Sequence, residues 1–177
     1  MPRKKRPLDR GRGEFRDASL IVIASEDTYA VDDYFAQFKT RRVHIEVLPT
    51  LDSHSAPQHV MARLTDFEKD VPIEVGDTLW ICIDRDRWDT ARLAEVIRES
   101  LQRGYQVAIS NPCFELWVLL HFSEVESTPR QTCSQVCATL KAVMGGYGRQ
   151  CCRTMSLSRQ KVEEAMERAR AIPECCG

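Results

Sequence analysis

Long apolar runs are missing from this sequence. The longest continuous apolar stretches, Leu20 to Ala24, Leu79 to Ile83 and Leu116 to Leu120, are five residues each. A membrane span needs about 20 such residues, and a secretory leader needs an apolar stretch of about 7 to 15. Neither is expected, and the composition points to a cytoplasmic protein with no membrane partner. A glycine-rich phosphate loop is also missing, which removes support for a nucleotide-binding regulator. No segment repeats another. Cysteine is not scarce, at eight residues, but its pattern is. Cys133 and Cys137 lie one helical turn apart, and Cys151 with Cys152 fits no common zinc knuckle beside them. Cys82 and Cys113 sit inside apolar segments, so buried, reduced thiols are expected rather than a disulfide framework. Cys175 and Cys176 stand too close to Gly177 for a prenylation signal.

What is present is unevenly spread. The formal net charge is -1, yet residues 1 to 16 hold seven Lys or Arg (Arg3, Lys4, Lys5, Arg6, Arg10, Arg12, Arg16) against Asp9 and Glu14. Without apolar periodicity, residues 1–17 read as a basic arm, able to attract nucleic-acid phosphates without reading sequence or simply to solubilise the chain.

From residue 18 the pattern alternates. Strands are predicted at Ser19 to Ala24, Val43 to Leu48, Leu79 to Ile83 and Tyr105 to Ile109. Between them, helices carry Val31, Tyr34, Phe35 and Phe38, then Val60, Leu64 and Phe67, then Leu93, Val96, Ile97 and Leu101, the last ending at Gly104. Ser55 and Pro57 fit the start of the second helix, as Asn111 and Pro112 fit the start of a fourth. Such alternation predicts an α/β fold with a mainly parallel four-stranded sheet covered by helices on both faces, over residues 18–125. Residues 126–177 read as a helical appendage packed on it. There Gln131 to Met144 and Ser158 to Ile172 are helical, the latter with Val162, Ala165, Met166, Ala169 and Ile172 inward.

In a parallel sheet, ligands collect at the carboxyl ends of the strands. Glu26 follows the first strand, and Asp84 and Asp86 follow the third. In extended chain Asp84 and Asp86 share a face while Arg85 points away, an arrangement that suits Mg²⁺ or another hard cation. A loop start or helix cap is the plain alternative for Asp-x-Asp. Glu115, one turn into an almost wholly apolar helix, is a candidate metal ligand, a base, or the partner of a buried arginine. His121 reads as a core histidine with its nitrogens satisfied. His54 reads as a solvated loop residue.

The order of a basic arm, a strand ending in an acidic turn (Ile21 to Asp27), Tyr34-Phe35, the Asp-Arg-Asp at 84 to 86 and Ser-Asn-Pro-Cys-Phe-Glu-Leu-Trp-Val-Leu-Leu-His-Phe at 110 to 122 resembles the RloB-like family. That resemblance implies a Toprim-type fold and an association with bacterial restriction and phage defence. The Toprim pattern pairs a glutamate after the first strand with a later Asp-x-Asp, here Glu26, Asp84 and Asp86, with Mg²⁺ or Mn²⁺ as cofactor and nucleic acid, RNA or DNA, as substrate. On this reading Glu26, Asp84, Asp86 and Glu115 are the catalytic candidates, the first three being the metal ligands. Arg3, Lys4, Lys5, Arg6, Arg85, Arg87 and Arg149 would face phosphates. The first acidic turn departs from the family's richer form: Asp27 follows Glu26 directly, and Thr28 and Val31 stand where further glutamates are usual. Two functions stay open, a metal-dependent nuclease serving as a defence effector and a noncatalytic binding or sensing subunit that works with an ATPase. Self-association is open as well.

Overall fold

The computed structural model describes residues 18–27, 29–50, 56–125, 131–146 and 151–172. Four strands form one sheet: β1 (Ser19–Ser25), β2 (Val43–Leu48), β3 (Thr78–Asp84) and β4 (Gln106–Ser110). Their order is β2-β1-β3-β4, and every neighbouring pair is parallel. The helices are α1 (Ala30–Phe35, continued by a tighter turn over Ala36–Phe38), α2 (Pro57–Asp70), α3 (Thr90–Gln102), α4 (Phe114–Leu119), α5 (Cys133–Met144), α6 (Cys151–Thr154) and α7 (Arg159–Ala171). The α/β class and the parallel four-stranded sheet are those the sequence predicts, and they are consistent with a Toprim-like fold. Among the described residues no helix is long and apolar enough to cross a membrane.

The central strands are apolar at successive positions because both faces of the sheet are covered. Leu20, Val22 and Ala24 of β1 join Leu79, Ile81 and Ile83 of β3 in a core shared with Val60 and Leu64 of α2 and Leu93 and Val96 of α3. The intervening Ile21 and Ile23, with Trp80 and Cys82, face the other side, where Val31 and Tyr34 of α1 and Phe114, Val118 and Leu119 of α4 fill the space. Val136 and Leu140 of α5, together with Cys152 and Met155, are buried in that second core. The helices after residue 125 therefore complete the packing of one sheet face. Arg168 of α7 reaches back to donate to the Leu120 carbonyl at 2.7 Å.

Helix α2 has Ala56, not Ser55, at its cap position, with Pro57 in its first turn as expected, while α3 and α5 are capped by side chains. Asp89 accepts from the Arg92 N–H at 2.9 Å to start α3, and Thr132 and Gln135 form a reciprocal capping box on α5. Gly104 ends α3 at φ +82, a conformation that L side chains rarely adopt. Three further local expectations are corrected. Helix α4 begins at Phe114 with Cys113 as its cap, not at Asn111. The Pro112 carbonyl is engaged by the Asp86 N–H at 3.3 Å, so Asn111 and Pro112, joined by a cis peptide, belong to the preceding loop. In α7 only Ala165 is fully buried and Met166 is 41% exposed, because the helix packs along a narrower stripe than its apolar content implied. Cys113 and Cys133, expected as thiols, are joined in a disulfide, since the starts of α4 and α5 are packed with their Cα atoms 5.6 Å apart.

Candidate acidic metal centre at the carboxyl edge of the sheet

From β1 the chain goes to β2 on one side and then returns past β1 to β3 on the other, so β1 and β3 flank the point where the strand order reverses. Adjacent carboxyl ends of this kind splay the following loops apart and leave a crevice between them. The crevice here is lined by the polar Ser25, Glu26, Asp27, Asp84 and Ser110 together with Val31, Cys82 and Phe114.

Register brings the first two acids together. Ser25 pairs with Cys82, and the ladder runs one residue further as the Glu26 N–H donates to the Cys82 carbonyl at 3.3 Å. Glu26 is 6% exposed. The indole N–H of Trp88 is shared between its two carboxylate oxygens at 2.8 Å each. Burial pushes the Glu26 carboxyl up to about 6, against the opposing pull of the Trp88 N–H, the Asp84 backbone N–H and the Arg87 charge. Asp86 adds repulsion.

Asp84 closes β3 opposite Ser110 of β4. Its carboxyl is pushed up to about 7, first by burial and then by repulsion from Glu26, Glu115 and Asp86, while the Phe114 backbone N–H offsets part of this. The Cys82 thiol below is pushed up to about 12 by burial and by Asp84, so it stays protonated.

Asp86 is placed differently from the sequence expectation. The extended chain stops at Asp84, and Arg85 to Arg87 form a 3₁₀ turn, so strand alternation does not fix which way Asp86 faces. Asp86 is exposed at the rim, yet its charge is felt at Glu26, Asp84 and Glu115. Glu115 lies in the first turn of α4 and is half-buried. Burial raises its pKa above the usual carboxylate range, with Asp27 and Asp86 adding to the rise and its own N–H opposing it. Asp27 has another task. Its Oδ1 accepts the Tyr29 N–H at 2.7 Å, the Ala30 N–H, and the Val31 N–H at 3.4 Å, capping the start of α1.

The turn that holds Asp86 also carries the predicted phosphate contacts Arg85 and Arg87, and Arg87 lies close enough for its charge to act on Glu26. Arg3, Lys4, Lys5, Arg6, Arg149 and His54 lie outside the described residues. His121 is in the core as expected: Nδ1 donates to the Trp117 carbonyl at 2.9 Å, leaving Nε2 to accept from the Tyr34 hydroxyl at 3.1 Å, and burial lowers its pKa so that it stays neutral.

Two residues that shape the site were not anticipated. Trp88 lies in the same segment as Asp84 and Asp86, but nothing in a sequence marks an indole as the donor to a glutamate 62 positions earlier. Arg63, on α2, binds the Leu48 and Pro49 carbonyls and the Thr50 hydroxyl with one guanidinium nitrogen, and the Ser25 carbonyl with the other. It ties the end of β1 to the loop after β2. An arginine beside the buried Leu64 was the available hint.

The acids present suit a hard divalent cation. Glu26 and Asp84 are carboxylates held near one another, desolvated, and each raised by repulsion from other acids, and a cation at that point removes the repulsion. Fold and site together define an α/β protein with an acidic centre at the reversal point of a parallel sheet. The family model for RloB-like protein matches residues 21–175. The chain belongs to the RloB-like family. No curated protein matches it, and no solved structure does.

Proposed function

We propose that this protein is a metal-dependent nuclease acting on RNA or DNA phosphodiesters with Mg²⁺ or Mn²⁺, serving in the cytoplasm as an effector of bacterial defence. The observation that carries the proposal is the pairing of Glu26 with Asp84 at the reversal point, two acids from distant parts of the chain whose pKa values are both raised.

Glu26 and Asp84 are the residues that would hold the ion, and Asp86, exposed at the rim, adds its negative charge to theirs. A divalent cation, when bound, neutralises charge on the scissile phosphate and makes a water more acidic. Trp88 fixes the Glu26 carboxylate by its bifurcated N–H, and the Phe114 N–H fixes Asp84 from the other side. Glu115 stands behind Asp84 as a further carboxylate, close enough to raise its pKa. Arg85 and Arg87, on the exposed turn, and the basic arm of residues 1–17 supply phosphate attraction, the arm without sequence preference.

The test is cleavage of mixed RNA and DNA with Mg²⁺ or Mn²⁺ by the wild type beside Asp84→Asn and Glu26→Gln. Loss of roughly 100-fold or more in either variant is expected, the scale typical of removing a group that stabilises transition-state charge. Equal cleavage by all three proteins would remove the enzyme reading.

A second reading has its own support. Asp27 is engaged as a helix cap, and Val31 is 1% exposed in the core, where an ionised side chain would be strongly disfavoured. The first acidic motif is therefore reduced to Glu26. A binding or sensing subunit that works with an ATPase would tolerate that reduction. It predicts nucleic-acid binding without metal-dependent cleavage.

A further inference from the structure

We infer that Cys113, Cys133, Cys137 and Glu115 form a second, sulfur-rich metal site for a thiophilic divalent cation of the Zn²⁺ type, built between α4 and α5. The site borders the acidic centre and shares Glu115 with it, but its sulfur ligands take no part in the nuclease reading.

Three of the four donor groups, Cys113, Glu115 and Cys133, place a ligand atom each within 4.8 Å of the other two. The Cys133 sulfur lies 3.9 Å from the Cys137 sulfur and 3.9 Å from a Glu115 carboxylate oxygen. Zinc bound tetrahedrally at about 2.3 Å from sulfur separates two thiolates by about 3.8 Å. The separations of Cys133 from Cys137 and from Glu115 are of that size, and Cys113, bonded to Cys133, comes to such a distance only once the S–S bond is broken. The spacing of Cys133 and Cys137, four residues apart on α5, puts both on one helix face. Cys113 and Glu115 bracket the first residue of α4. The sequence offered Cys151 and Cys152 as partners for the α5 pair, whereas the fold supplies Cys113 and Glu115, 18 to 24 residues upstream.

The scaffold is rigid where the ligands attach. Val136 and Leu140 of α5 are fully buried, as is Val118 of α4. Cysteine sulfur and carboxylate together are a borderline-soft donor set, which favours Zn²⁺ over Mg²⁺. Three thiolates and one carboxylate would make a closed four-coordinate site, the pattern of structural zinc.

In the structure two of the sulfurs are joined as the Cys113–Cys133 disulfide. Loading therefore begins with reduction by a dithiol: the S–S bond breaks, Cys113 and Cys133 each gain a hydrogen, and the dithiol leaves as its own disulfide. Binding then releases one proton from each of the three thiols to solvent as the metal–sulfur bonds form. The site is thus open to metal in the reduced protein and closed in the oxidised one.

The test uses the full chain, reduced with a dithiol, desalted without oxygen and titrated with Co²⁺ as the probe, since tetrahedral thiolate cobalt has intense charge-transfer and ligand-field bands. The expected result is one equivalent of tetrahedral cobalt, displaced by one equivalent of Zn²⁺, and no such bands in the oxidised protein. Cys133→Ser should abolish the bands, and Cys137→Ser, which leaves the disulfide pair intact, should lower the charge-transfer intensity by about a third, one thiolate of three. Should Cys133→Ser fail to fold, alkylation of the wild type read by mass spectrometry replaces it, with Zn²⁺ expected to protect Cys113, Cys133 and Cys137 together. The inference is overturned if reduced wild type gives only octahedral cobalt, if Cys137→Ser leaves the bands unaltered, or if Zn²⁺ protects none of the three cysteines.

Discussion

At Asp84, burial and three neighbouring carboxylates all act to keep a proton on the side chain. The same is true of Glu26, through burial first and Asp86 last. A carboxyl whose folded pKa lies above its unfolded value makes the folded state bind more protons, so stability falls as pH rises. With folded values of about 6 and about 7, the loss runs from roughly pH 4 to 7 and is complete above that. The metal-free protein should melt several degrees lower near pH 8 than near pH 5.5, and Asp84→Asn should flatten that slope, as followed by circular dichroism across the pH range. Added Mn²⁺ should reverse the loss in the wild type alone, by roughly 2.7 kcal/mol at one hundred times its dissociation constant. Asp27 answers to a different test. If its work is capping α1, Asp27→Asn retains stability while Asp27→Ala costs about 1 kcal/mol in a denaturant titration. The sequence exposes the acids themselves, because charged residues directly after apolar runs stand out. It hides Trp88 and Arg63, whose contacts span 62 and up to 38 positions.

Among the elements, the strands were the most legible. β1 and β3 read as near-continuous apolar runs because helices cover both faces, and β2 was bounded at the residues observed. The start of α4 is not legible because Asn-Pro is as good a helix opening as it is a loop, and only the Asp86 N–H on the Pro112 carbonyl decides between them. The turn after β3 escaped for a related reason: alternation is a property of extended chain, and nothing in Arg85 to Arg87 announces that extension has ended. Helix α2 matters beyond its apolar stripe, since Arg63 secures the end of β1. Arg63→Ala strips charged donors from the Ser25, Leu48 and Pro49 carbonyls. A loss of about 1.5 to 3 kcal/mol is expected in chemical denaturation, together with weaker Mn²⁺ binding measured by calorimetry, since the turn bearing Glu26 is no longer held.

For the molecule as a whole, the helices after residue 125 pack into the same core as the strands. Val136, Leu140, Cys152 and Met155 are as buried as the strand residues they cover, and the family match continues to residue 175. Each such apolar side chain contributes roughly 1.5 to 3 kcal/mol when buried, and together they rival the net stability of about 5 to 15 kcal/mol typical of a domain. A chain ended at residue 125 should therefore show no cooperative thermal transition and should be cut rapidly by protease. Length and alternation made the sheet readable. The later helices were less so, since helix pairing leaves no short-range mark in composition.

Because the acids ride on the two innermost strands, the backbone amides just before them should exchange with deuterated water only when the entire molecule opens. Local breathing at the rim can then move Asp86 and its arginines while Glu26 and Asp84 keep their spacing, so the pair stays preorganised for an ion whatever the loops around it do.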